Sequence, residues 1–381
     1  MLRPNSPKTI CVFAEFPLSA ISHGESGRGA GQAATWLPQL AQSWASCADF
    51  KIHWGVFDKA ANNEETITCL NQTFHRIPTK SLSASLLLGR WPHRLCASRL
   101  IRKIKADIIH CWGTENLNSS ALLAFQGPSI LSMQGIVSPY LKTGDLNTWQ
   151  WKMFRHYERK SLRLATIVTS ESQWGLDRVA EIHPSVSSQR IEYGVHPSFY
   201  RVTWAPATIE PRFLFVGGLN RLKGIDIMIE MLRRHPKRNW KMVFAGDGYL
   251  MNALKSLNDP LVEVLGMLKT EQVQQEMSKA WGLVMPSRAD TSPNVVKEAR
   301  VIGLPVVGSP HGGHAEYIAH GKDGLLVDSE DADAWFQSIN SLTMNYQLCC
   351  EMGNHRREHF RAYFRPEKTA EELLNLYRSL L

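Results

Sequence analysis

Residues 285–318, MPSRADTSPNVVKEARVIGLPVVGSPHGGHAEYI, constrain this chain more than any other stretch of its 381 residues. Asp290 precedes a second acid, Glu298, by eight positions, and an apolar run and a Gly-Gly pair follow. The order strand end, loop, helix, strand, loop is the α/β alternation of a parallel sheet. Ligands of such sheets bind beyond the carboxyl ends of the strands. The loops carrying Asp290 and residues 311–316 are therefore expected to face one crevice. Two acids beside Gly-rich backbone suit a ligand with hydroxyls at one end and phosphate at the other. That points to a nucleotide sugar.

The length suggests two domains, because single cores stop growing well below it. A hydrophobic share of 44% with 20% charged residues is that of a globular chain. Seven cysteines with no metal-ligand spacing, two of them adjacent, fit a reducing compartment. The short apolar run 10–14 is cut by Glu15 and Pro17, so no signal peptide is expected at 1–20. Nor does any run approach the ~20 apolar residues of a spanning helix. The expected location is cytoplasmic, with peripheral binding on the inner face of a membrane as an option.

That option comes from charge. The formal net charge is +8, and residues 66–106 hold no acid but eight Lys or Arg, from Arg76 to Lys105. Leucines and Trp91 are interleaved with them in a partly helical pattern. Such a segment can seat itself at an anionic membrane surface. It reads equally as a solvated helix covering a sheet, with snorkelling cations. No nucleic-acid motif accompanies the charge, so nucleic acid is not expected as a partner.

Short apolar runs at 10–16, 50–56, 108–111, 129–133 and 166–170 read as strands, with helices at 33–48, 95–105 and 149–164 between them. A turn-rich passage, 193–211, is the natural linker. A second α/β series follows, with strands at 213–216, 240–245, 262–265, 282–285, 305–307 and 324–327. Residues 366–381 close the chain as a helix. The expected fold class is α/β: two Rossmann-like domains with parallel sheets facing each other across a cleft. Their bounds are 1–200 on the acceptor side and 201–365 on the nucleotide-sugar side. The helix 366–381 is drawn as crossing back to the first domain.

FLFVGGLNRLKGID (213–226), FAGDG (244–248), VLG (264–266), SPNVVKEA, GLPVV and GGHAEYI occur in an order that resembles glycosyltransferase family 4, retaining enzymes of the two-domain B-type fold. The match is strong over 213–328 and weaker across the N-terminal half. The resemblance implies a donor site on the C-terminal domain. Glu298 would accept hydrogen bonds from the ribose diol, a contact that suits an ionised carboxylate. Asp290, where the family usually has Glu, would meet hydroxyls of the transferred sugar. Lys223 would neutralise the leaving diphosphate, and Arg221 would stand in for an arginine that this chain replaces with Gly218. Gly217, Gly218, Ser292, Pro293, Asn294 and Val295 would line the donor, and backbone N–H groups within 291–295, where a helix should begin, would add donors. Gly312, Gly313 and Glu316 match the family's Gly-Gly-x-x-Glu turn.

In the N-terminal half, SGRGAG (26–31) lies too far from its strand for a dinucleotide fingerprint, so a nicotinamide cofactor is not expected. The resemblance makes it a loop approaching the donor, with Gly29 in contact. Gln134 stands where many relatives have histidine, so a titrating base is not expected there. His110 reads as a buried structural histidine or as a residue near the cleft. No cofactor and no metal are expected.

The reaction so implied moves a sugar from a nucleoside diphosphate to an acceptor hydroxyl, with retained configuration. Acceptors in view are a glycan, a lipid-linked sugar or a small molecule, as in cell-envelope, glycolipid or exopolysaccharide synthesis. The rivals are a nucleotide-sugar epimerase on the same fold and a non-catalytic nucleotide-sugar binder. Departures at Gly218, Gln134 and Asp290 favour the latter slightly.

Overall fold

A computed structural model describes residues 7–21, 36–79, 81–144, 148–207, 210–328 and 330–381. The chain divides into two compact units. Unit 1 comprises Met1–Leu141, Leu146–Tyr193 and Pro366–Leu381; unit 2 comprises Lys142–Asp145 and Gly194–Arg365. Each is built on one α/β sheet, as the alternating runs predict.

Unit 1 carries strands β1 (Lys8–Phe13), β2 (Phe50–Asp58), β3 (Glu65–Cys69), β4 (Gln72–Pro78), β5 (Ile108–Trp112), β6 (Ser129–Met133), β7 (Ile167–Ser170) and β8 (Ser188–Arg190). Their spatial order is β3-β4-β2-β1-β5-β6-β7-β8, all parallel except β3 against β4. Every residue of β5 and β6 is buried. Strands covered on both faces read as continuous apolar runs, which is why these two are visible in the sequence. Residues alternate between the faces. Cys11, Phe13, Ile109 and Leu131 pack with α3 (Trp91–Ile104) and α5 (Trp149–Leu164). Ile10, Val12, Ile108 and Ile130 pack with α1 (Trp36–Ser43) and the C-terminal helix Pro366–Ser379. Short helices α2 (Leu82–Leu87) and α4 (Val137–Lys142) and the longer α6 (Gln173–Ile182) complete this part.

The expected partly helical segment 66–106 needs correction. Its first part is the antiparallel hairpin β3–β4, and Arg76 lies on a strand, bonded to Asp58 at 2.8 Å. The turn is Leu70-Asn71, both at positive φ (53° and 55°), a pair of left-handed residues that fits the right-handed twist of a hairpin. Asn-Gly signals such a turn; Leu-Asn does not. The expected helix 33–48 is observed as α1, beginning at the edge of the described residues.

Unit 2 carries β9 (Arg212–Val216), β10 (Lys241–Ala245), β11 (Val262–Gly266), β12 (Gly282–Met285), β13 (Val306–Gly308) and β14 (Gly324–Leu326), in the order β11-β10-β9-β12-β13-β14, all parallel. Helices α7 (Ile225–Arg234), α8 (Met251–Lys255), α9 (Thr270–Lys279), α10 (Asn294–Ile302), α11 (Ala332–Thr343), α12 (Tyr346–Asn354) and α13 (Arg357–Tyr363) surround it. Chain order runs outward from β9 to β11, then restarts at β12 on the other side. The switch point of unit 2 thus lies between β9 and β12, where open α/β sheets hold ligands. In unit 1 it lies between β1 and β5. Helix α10 is fixed from behind: the buried Arg300 guanidinium bonds Asp323 O (2.8 Å), pairs with its carboxylate (3.2 Å) and bonds His355 O (2.9 Å).

The last helix, α14 (Pro366–Ser379), belongs to unit 1. Ala370 O accepts from the Trp44 indole N–H at 3.1 Å, Thr369 Oγ1 donates to Glu192 O, and Tyr377 Oη meets His110 Nδ1 at 2.7 Å.

Candidate donor site

The switch point of unit 2 joins three loops. Gly217, just past β9 with φ 153°, donates its N–H to Ala245 O at 2.9 Å. Gly246, past β10, lies so close that a Cβ there would stand 1.9 Å from Gly217 O. Farther along the first loop, Asn220 Oδ1 accepts from Lys223 N at 3.0 Å. Arg288, in the loop after β12, clamps the two loops: its N–H reaches Leu222 O (2.9 Å), and its guanidinium is bidentate to Asp226 (2.7 and 3.0 Å). A planar fork of this kind holds a loop in one geometry, since both bonds must break together. Neither Arg288 nor Asp226 stands out in the sequence, although both fall inside motif segments.

Lys223 and Asp290 meet: the ammonium is hydrogen-bonded and ion-paired to Asp290 Oδ2, with both side chains largely buried. The third loop, after β13, locks onto this pair. Gly313 donates to Asp290 O at 2.8 Å, and Gly312 adopts φ 123° with the position of a Cβ only 2.7 Å from that same oxygen. Replacing Gly312 by Ala should therefore cost about 1–3 kcal/mol through backbone strain and collision. A thermal melt should fall by several degrees, and an unchanged melting point would contradict this placement. His314, buried behind the turn, was not singled out by sequence. Burial lowers its imidazole to about 4, with Asp290 pulling upward and Lys223 downward, so it is neutral near pH 7. Ser309 Oγ donates to Ser287 O and lies 3.2 Å from His314 Nε2, which assigns the Nε2–H tautomer.

Glu298 sits on α10, partly buried, and among the described residues its carboxylate forms no hydrogen bond or ion pair. Burial pushes it up to about 7, against the downward pull of Lys297. An acid kept short of partners in this way retains its full acceptor capacity for something else. Pro293 is the N-cap, without a side-chain cap bond, and Asn294 and Val295 open the helix. Ser292 Oγ is 2.9 Å from Tyr317 Oη, a buried contact.

The other predicted residues are less committed. Arg221 is exposed, 3.6 Å from Asp226, and its N–H reaches Tyr249 Oη at 3.0 Å. A Cβ at Gly218 would stand 2.9 Å from Asn220 Nδ2, so that side chain would have to shift. Glu316 lies exposed on the 3-10 turn Gly313–Tyr317.

Gln134 belongs to unit 1, just past β6. Its Oε1 lies by Gly113, at the end of β5, near the Glu115 carboxyl. Burial pushes Glu115 up to about 7, the Thr114 N–H working against it and Glu15 and Glu158 with it. Glu115 therefore stands at the switch point of unit 1, unremarked in the sequence. His110 is wholly buried between Tyr377 and Ser132, each at 2.7 Å, and burial lowers it to about 3. It is structural. Gly29 and the segment 26–31 lie outside the described residues. Among the described residues no three His, Cys, Asp or Glu are grouped to hold a metal.

Two α/β sheets of this topology, each with strand-end loops at a switch point, make a two-domain Rossmann-like fold, and solved structures share it over almost the whole chain. Sucrose-phosphate synthase from Thermosynechococcus elongatus superposes over 98% of this chain and 99% of its own, with TM-score 0.79 and 19% identity. Anabaena HepE in complex with UDP-glucose does so over 98% and 100%, with TM-score 0.70 and 16% identity. Residues 210–345 match the family model Glycosyl transferases group 1. A D-inositol 3-phosphate glycosyltransferase of Corynebacterium urealyticum is 31% identical over 181 residues, covering 44% of this chain and 42% of the relative. Vi polysaccharide biosynthesis protein VipC/TviE of Salmonella typhi is 28% identical over 46% of this chain and 26% of its own length. The chain spans less than half the length of the curated relatives it matches.

Proposed function

We propose that unit 2 binds a nucleoside diphosphate sugar and that the chain transfers its sugar to an acceptor hydroxyl with retained configuration, as in glycosyltransferase family 4. The observation that carries this reading is Glu298, partly buried and without a partner among the described residues, on the helix that follows β12 and the Asp290 loop, where Asp290 meets Lys223. Glu298 takes the ribose diol as an ionised acceptor. The Lys223 ammonium turns toward the diphosphate, and Asp290, released from it, meets sugar hydroxyls. Backbone N–H groups of Ser292, Asn294 and Val295 and the Arg221 side chain add positive potential at the same end.

In the transfer step the bond from the anomeric carbon to the leaving phosphate oxygen breaks. The acceptor oxygen bonds to that carbon on the same face, and its proton passes to the leaving phosphate. Negative charge grows on the phosphate in the oxocarbenium-like transition state, so fixed cations and amides there lower the barrier. No metal takes part in this scheme, and turnover should survive EDTA. In unit 1, Glu115 and Gln134 at the strand ends are the acceptor-side groups. The acceptor fits cell-envelope glycan, glycolipid or exopolysaccharide synthesis at the cytoplasmic face, with the basic segment 76–105 against an anionic surface.

HepE has been solved with UDP-glucose, so uridine nucleotides head the test panel. A nucleotide sugar at about 100 times its dissociation constant stabilises the folded state by about 2.7 kcal/mol. At least one member should raise the melting point by several degrees. A panel without any shift would remove the donor-site reading.

A further inference from the structure

The basic surface of unit 1 is larger than segment 76–105, and it has an apolar tip. Helix α3 buries His93, Ala97, Leu100 and Ile101 and turns Arg94, Arg99 and Lys103 outward. Helix α5 packs on the same face of the sheet and exposes Lys152, Arg155 and Arg159, at helical spacing. Its single acid, Glu158, is fully buried, bonded to Val137 N at 2.7 Å. With 66–106 free of acids, neither helix presents a surface carboxylate. Acids flank this surface: Glu64 acts on Cys96 of α3, Asp107 follows α3 and pairs with Lys8, and Asp177 and Glu181 stand on α6.

Helix α2 joins the two. Leu86 is buried against Phe154 and Tyr157 of α5, and Ser85 Oγ lies 2.9 Å from His93 Nδ1 of α3. The turn after it is clamped by Arg90, whose guanidinium donates to Ser119 Oγ at 2.7 Å and stacks 4.3 Å over the Tyr157 ring. This fixed knob holds Leu82, Leu87, Leu88 and Trp91 in water, Leu87 76% and Trp91 60% exposed. Clustered exposed apolar side chains on a rigid turn mark a contact surface. Flanking cations define the partner as anionic, and the leucines require that it also accept hydrocarbon. A nucleic-acid duplex meets only the first condition; a bilayer of anionic lipid meets both.

We infer that unit 1 docks on an anionic membrane, with the α2 knob entering the interface and the outer faces of α3 and α5 lying over the headgroups. This gives a physical form to the membrane-side acceptor reading above, and it is measured without any sugar transfer.

The test is co-sedimentation of the full chain with phosphatidylcholine vesicles, plain or carrying about one third phosphatidylglycerol. Binding is expected to the anionic vesicles only, and to fall as salt rises from about 0.1 to 0.5 M. The pair Leu87→Ser/Trp91→Ser and the pair Arg155→Glu/Arg159→Glu should each weaken it about tenfold or more. All four positions are exposed, and the thermal shift given by a nucleotide sugar should stay unchanged in both variants. Loss of that shift in the parent chain would strike the donor site and leave the vesicle result standing. Equal binding to neutral vesicles, no binding, or full binding by both variants would overturn the inference. So would retention of a nucleic-acid duplex by a chain that ignores the vesicles.

Discussion

Lys223→Met should lower turnover by roughly 10²–10³-fold, the usual cost of removing one fixed group that stabilises charge growing in a transition state. Lys223 is a largely buried cation at the unit 2 switch point, and its pairing with Asp290 holds it there. The same change leaves Asp290 without its cation. Breaking a buried pair costs about 3–5 kcal/mol, and the residual exposure of both side chains reduces this to about 1–3. Stability and turnover are separable by the double variant Lys223→Met/Asp290→Asn. It should regain most of the melting temperature and none of the turnover, because no uncompensated charge remains but the diphosphate still lacks its cation. Arg221→Ala is the contrast: an exposed cation should be worth roughly fivefold in donor affinity. Turnover by Lys223→Met within a few-fold of the parent would show that the leaving group is held elsewhere.

Glu298→Gln should weaken donor binding by about 1.5–3 kcal/mol, or roughly 10- to 100-fold, since charge-assisted hydrogen bonds are lost while shape is kept. The pH dependence separates this from a packing defect. Burial holds the Glu298 carboxyl up at about 7, above the ordinary carboxylate value. The ribose diol needs the ionised form, so affinity should climb as pH rises from 6 to 8, with a proton released on binding. The stability linkage has the opposite sign. A raised folded-state value makes a contribution that is fully present below the unfolded carboxylate pKa and lost as pH rises through about 7. The variant should therefore melt higher than the parent at pH 8 and show little difference near pH 4. Calorimetric titration over that range, in buffers of different ionisation enthalpy, reads both the slope and the proton. A pH slope that survives in Glu298→Gln would assign it to another group.

Both sheets were legible in the sequence because their central strands are buried on two faces and so appear as unbroken apolar runs, as in β6 and β12. Two edge elements were not. The β3–β4 hairpin turns on Leu70-Asn71, a pair with no turn signature, and β8 (Ser188–Arg190) is a three-residue polar strand at a sheet edge. The donor site shows the same division. Asp290, Lys223 and the Gly312–Gly313 turn could be found because charge and glycine recur in a motif order. What they bind could not, because Lys223 and Asp290 are 67 positions apart and meet only through folding. Arg288, His314 and Glu115 owe their roles to burial and to partners from other loops, which spacing does not encode. Gly29 lies beyond the described residues.

Time-resolved proton NMR of a UDP-sugar incubated with the protein reads the stereochemistry of transfer at the anomeric carbon. In the absence of a natural acceptor, water takes its place slowly, and the anomeric proton of the first sugar released reports which face was attacked. This sugar should carry the anomeric configuration of the donor, nucleoside diphosphate should accumulate in step, and Lys223→Met should suppress both. First release of the opposite anomer, an epimerised nucleotide sugar with no diphosphate, or no turnover of any nucleotide sugar would contradict retaining transfer.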